Sequence, residues 1–182
     1  MPHSSPPKSG APTGVLVQWE DLSPTALLRR DHRAVAVLIP DGTGTLGAPS
    51  PMVRAFRRDL TEDAASRYGL TGAPYLEPSD VAGWAAQHGL EQIVTAHAPV
   101  GPVADALAQA EGACAREGIS LLRQLRAYDA AAWPHATKGF FKFKEKIPSL
   151  LKGLEAQRAA EGWRGAAPIA QATQASAKGE PA

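Results

Sequence analysis

The chain has 182 residues, with 19 Lys and Arg against 18 Asp and Glu for a formal charge of +1. At this length a chain buries about 70% of its unfolded surface, so a disulfide or metal staple is not needed. Near-neutrality excludes a globally basic nucleic-acid binder and an acidic solvating tail, and the single cysteine, Cys114, excludes an intrachain disulfide and any multi-cysteine zinc or iron–sulfur site.

Residues 1–12 are rich in Pro, Ser and Gly and carry no periodicity, which reads as a disordered arm. They lack the apolar centre of a secretory signal. The longest apolar run, residues 34–39, is far short of the ~20 residues that span a bilayer. The expectation is a cytoplasmic chain without membrane contact. The folded body is expected over residues 13–161, and residues 162–182 read as a disordered tail.

The body alternates between two patterns. Val15, Leu16 and Val17 predict a first strand running into Gln18 and Trp19. Ser23 and Pro24 then predict a helix start, with Ser as N-cap and Pro at the first helical position. Residues 34–39 are apolar on both faces, as in a strand covered from both sides. Met52, Phe56, Leu60, Ala64 and Tyr68 recur every four residues and predict a long helix starting near Ser50, with these side chains inward and Gly69 as its left-handed cap. A weak strand at residues 74–76 leads to a helix that Ser79 is expected to cap and Gly89 to stop. A strand over residues 92–96 precedes a helix over residues 102–117 with Val103, Leu107 and Cys114 inward, and Ile119 opens the last strand.

Repeated strand and glycine-ended helix is the pattern of stacked βαβ units. It predicts an α/β fold: a five-stranded, doubly wound parallel sheet, Rossmann-like, with helices on both faces. Ligands of such sheets lie at the carboxyl ends of the strands, near the point where strand order reverses. That rule selects Asp21, Asp41, Gly42, Gly44, His97 and Gly101 as candidate ligand contacts.

Gly42, Gly44 and Gly47 match G-x-G-x-x-G after a strand. Pro40 precedes the first glycine, and Pro49 and Pro51 follow the third, so the helix begins too late to offer its first N–H groups to a pyrophosphate. A plain loop is the favoured reading over a dinucleotide site. His97 is the one histidine at a strand's carboxyl end, and Cys114 reads as a buried, inert thiol. No catalytic constellation is present, so no catalytic or metal-binding residue is assigned.

Residues 132–148 hold three of the four phenylalanines, interleaved with lysines. Lys138, Phe140, Lys142, Phe143 and Lys144 suit either stacking and charge against nucleic acid or an amphipathic segment whose aromatics dock on this domain or a partner. Docking is favoured, because one short patch on a near-neutral chain is a small electrostatic footprint.

The run Val15-Leu16-Val17-Gln18-Trp19 followed by Glu20-Asp21-Leu22 and Ala26-Leu27 resembles the opening of the photolyase/cryptochrome N-terminal α/β domain. So do the strand Ile93-Val94-Thr95 with the helix after it, and the closing Pro134, Gly139, Phe141, Phe143 and Lys144. Glu20 and Ser23 stand where relatives carry arginines beside the Asp-Leu pair. The resemblance implies a stand-alone domain of the kind that holds an antenna chromophore, a folate or deazaflavin. It implies no FAD on this chain, since the flavin-binding and catalytic half of the family is absent. It also implies a separately encoded FAD-binding photolyase-like partner, with contact to DNA only indirect. The alternative from the residues alone is a small nucleotide- or dinucleotide-using enzyme.

Overall fold

The computed structural model describes residues 6–40 and 48–160. Its centre is a five-stranded sheet: β1 (Thr13–Gln18), β2 (Ala34–Leu38), β3 (Tyr75–Leu76), β4 (Gln92–Ala96) and β5 (Ser120–Gln124). The order is β3-β2-β1-β4-β5, and every pairing is parallel. The expected doubly wound α/β sheet is therefore present.

The register explains the apolar runs. Val15 and Leu16 pair with Val35 and Ala36 on one side and with Val94 and Thr95 on the other. Successive side chains point to opposite faces. Leu16, Ile93 and Leu121 thus join one core cluster, and Val15, Val17 and Val94 join the other. Each fully buried Leu or Ile contributes roughly 1.5–3 kcal/mol of transfer free energy.

The helices divide between these faces. The helices α3 (Val81–Gln87) and α4 (Pro102–Arg116) cover the first cluster, with Val103, Leu107 and Cys114 inward as predicted. The short α1 (Thr25–Leu28) covers the second through Leu27. Right-handed crossovers require this split, because the chain steps one way through β1, β2 and β3 and the other way through β4 and β5.

The helix α2 (Pro51–Tyr68) begins where the prolines dictate: Ser50 accepts from the Val53 N–H at 3.3 Å. Gly69 closes it at φ +68°. Its predicted apolar stripe is only half realised. Ala64 is buried together with Thr61 and Ala65, but Met52 and Phe56 are exposed at 81% and 60%. The helix has 18 residues, and the strand after it, β3, has two, which offers little sheet to cover its first turns. Two caps also shift by one residue. Pro24 rather than Ser23 is the N-cap of α1, and Asp80 rather than Ser79 precedes α3.

Residues 8–12 run along the amino ends of the strands. The buried Gln92 side chain accepts from the Lys8 N–H at 2.9 Å and donates to the Lys8 carbonyl and to Thr13 Oγ1, both at 2.8 Å.

The chain divides into two compact units between Ala127 and Tyr128. The second unit carries most of α5 (Ala127–Ala132), a 3-10 turn (Trp133–Lys138), α6 (Phe140–Lys144) and α7 (Ile147–Ala160). The Phe/Lys segment falls in this unit. Among the described residues no helix is long and apolar enough to cross a membrane.

Candidate functional site

Strand order reverses between β1 and β4, so the crevice at their carboxyl ends is the place where this fold holds ligands. Gln18 closes its floor: it is 1% exposed, and Nε2 donates to the Ala96 carbonyl at 2.6 Å. Its Oε1 is buried without a partner among the described residues.

Three candidate contacts lie at this edge. Asp21 accepts from Arg126 Nη2 and, at 3.3 Å, from Arg126 Nε. It also accepts from the Ser23 N–H at 3.3 Å, which fixes the turn after β1. Gly101 sits at φ +148° as the N-cap of α4, and among the described residues no side chain caps that helix by a hydrogen bond. Half-buried His97 extends the β4–β5 ladder, its N–H donating to the Gln124 carbonyl at 2.8 Å. Sequence reasoning thus brought Asp21, His97 and Gly101 to one edge. Asp41, Gly42 and Gly44 lie outside the described residues.

A cleft of about 290 Å³ opens at the same edge, over the ends of β2 and β3. Ile39 and Leu76 form its apolar base, and Tyr75 offers a ring that is 44% exposed. Arg54, Arg58 and Glu62 line it from α2, and Asp80 lines it from the turn before α3. Arg54 Nη1 donates to the Pro49 carbonyl at 2.7 Å, whereas Arg58 has no ion-pair partner among the described residues. Asp80 accepts from the Glu77 N–H at 3.4 Å, which sets the turn. The Tyr75 phenol is pushed above its ordinary value, first by desolvation and then by the Glu62 carboxylate, with Arg58 opposing. It therefore stays protonated as a hydrogen-bond donor at neutral pH. Nearby, the Arg57 guanidinium lies 4.2 Å from the Trp19 ring centroid, a cation–π contact that ties α2 to the end of β1.

These cleft residues were not among the sequence candidates. The signal was present. Arg54, Arg58 and Glu62 recur every four residues, so they share one face of α2 near the end that must start at the carboxyl edge. The expected inward stripe drew attention to the other face.

A ring face, a guanidinium and carboxylates can clamp a planar polar molecule. Among the described residues no three His, Cys, Asp or Glu gather as a metal site. Cys114 is buried, and burial followed by the Glu111 charge pushes its thiol up to about 11, so it is no nucleophile.

In the second unit, Phe140 and Phe141 are 66% and 80% exposed. Their rings meet edge to face with centroids 5.8 Å apart. Phe143 is half-buried, and Lys142 and Lys144 are exposed. Lys142 lies 3.8 Å from Glu145. No family model matches the chain, and no curated protein matches it.

Proposed function

We propose that this chain is a ligand-binding module of photolyase-like α/β type that holds a planar aromatic molecule, an antenna chromophore or a nucleotide, at the carboxyl edge of its sheet. The cleft over β2 and β3 carries this reading: it places the exposed Tyr75 ring beside Arg58 and Glu62 at the edge where such sheets take ligands. Its volume suits one ring system rather than a whole dinucleotide. The link to light-dependent DNA repair rests on the sequence resemblance, and so does action with a separately encoded flavoprotein.

The experiment is purification from the native host, followed by an absorbance spectrum and identification of co-purifying proteins. The reading predicts a bound near-ultraviolet or visible chromophore, or a flavoprotein partner. A protein with neither, and with no affinity for nucleotides, contradicts it.

The exposed Phe140–Phe141 pair supports the second unit as the surface that meets a partner or DNA. DNA contact through Lys142 and Lys144 predicts an affinity that falls steeply with salt, with a shallower slope when both are replaced by Gln.

A further inference from the structure

A second cleft, of about 710 Å³, lies at the opposite, amino end of the strands. Its base is the start of β1 and β4, at Thr13 and Gln92. One wall is the N-terminal arm from Pro7 to Pro12, and the other is the turn from Arg30 to Arg33 between α1 and β2.

The arm wall is held in place. The buried Gln92 amide makes three hydrogen bonds to Lys8 and Thr13, and Thr13 Oγ1 donates to the Ala11 carbonyl at 2.8 Å. The opposite wall is tied to the same strand end, since the Arg33 N–H donates to the Thr13 carbonyl at 2.8 Å. An arm with no large apolar residue to bury is thus held by the buried Gln92 amide, together with the Glu91 N–H, which donates to the Pro12 carbonyl at 2.9 Å.

Charge converges there. Lys8, Arg30 and Arg33 line the cleft against one carboxylate, Asp31, with His32 between them. None of the three cations has an ion-pair partner among the described residues; Arg33 makes only a 3.5 Å contact to the Gly89 carbonyl. On a chain whose charges otherwise nearly cancel, a concavity lined by three cations and one carboxylate is a concentration of positive potential.

We infer that this amino-edge cleft binds a small polyphosphate-bearing molecule, such as a nucleoside polyphosphate. Guanidinium groups match phosphate oxygens in pairs, and three cations on two walls call for a ligand with more than one phosphoryl group. A cleft of this size holds one such molecule. Lys8 lies on the arm wall and Arg30 and Arg33 on the facing turn, so the cations flank one concavity, which favours a discrete ligand over a nucleic-acid backbone.

The test is calorimetric titration of the full chain with inorganic triphosphate, ATP, inorganic phosphate and a single-stranded oligonucleotide. Triphosphate and ATP are expected to bind more tightly than phosphate. Arg30→Ala and Arg33→Ala should each weaken triphosphate by about tenfold or more, while Lys152→Ala, an exposed cation on α7, leaves it unchanged. Circular dichroism checks that each variant is folded. Arg30→Lys, which keeps the charge, should recover part of the affinity. No binding of triphosphate, affinity unchanged in both arginine variants, or preference for the oligonucleotide over ATP would each overturn the proposal.

Discussion

Arg126 and Asp21, 105 positions apart in sequence, form a two-pronged ion pair across the carboxyl end of β4. Asp21 follows β1 and Arg126 follows β5, so the pair links two strands that do not touch each other. It fixes the rim of the crevice at the point where strand order reverses. The Asp21 side chain is only 13% exposed, while that of Arg126 is 53% exposed, so the pair is partly shielded from solvent.

Replacing either partner should therefore cost more than an ordinary surface pair. Asp21→Asn is expected to destabilise the fold by about 1 kcal/mol, and the double-mutant cycle with Arg126→Ala should give a coupling of roughly 0.5–1 kcal/mol. Urea unfolding measures both. Zero coupling would mean that the two side chains do not act together.

Gly14 is a glycine because of its neighbours. A Cβ there would lie 2.5 Å from Leu90 Cδ1 and 2.8 Å from Trp84 Cη2. Trp84 is a large, nearly buried ring on α3, and β1 has no room to retreat between two paired strands. Gly14→Ala is expected to cost about 1–3 kcal/mol by overpacking, read as a fall in the urea midpoint with the slope unchanged.

The buried thiol gives a pH prediction with a definite sign. Cys114 titrates at about 11 in the fold, above the usual range for an exposed cysteine. The folded state keeps the proton longer than the unfolded chain, so this contribution is complete below pH ~8.5 and is lost as pH rises towards 11. Cys114→Ala should flatten the stability profile between about pH 9 and 11. In the wild type, a thiol reagent at pH 8 should react only at the rate of unfolding. Rapid labelling of the folded protein would contradict the buried assignment.

The sheet was legible from the sequence because its strands are covered on both faces: residues 34–39 have no polar alternation to blur them. The glycine stops at Gly69, Gly89 and Gly118 were legible because each adopts a positive φ that glycine takes at no steric cost. The inward face of α2 was not. A four-residue repeat shows which side chains share a helix face, not whether a neighbour exists to cover them, and the short β3 gives α2 too little sheet to lie on. The carboxyl-edge cleft was missed for the same reason, since its cations sit on the face assigned to solvent.

The role of Gln92 was equally hidden. At the start of a strand, a Gln reads as polar punctuation. In the fold it is 2% exposed and anchors a segment 84 positions away. Gln92→Leu is expected to release residues 8–12, seen as faster amide exchange at Lys8, and to cost about 1–3 kcal/mol because Thr13 and the arm lose buried partners. Unchanged exchange at Lys8 would show that the arm is held by something else.

The carboxyl-edge cleft is the proposed ligand site. The most direct measurement is equilibrium titration of wild type, Tyr75→Ala and Arg58→Ala with a folate, a deazaflavin and a nucleoside monophosphate. One of these should bind the wild type, with affinity at least about tenfold weaker in both variants. If none binds, or if a bound molecule keeps its affinity in both variants, the cleft over β2 and β3 is not the site.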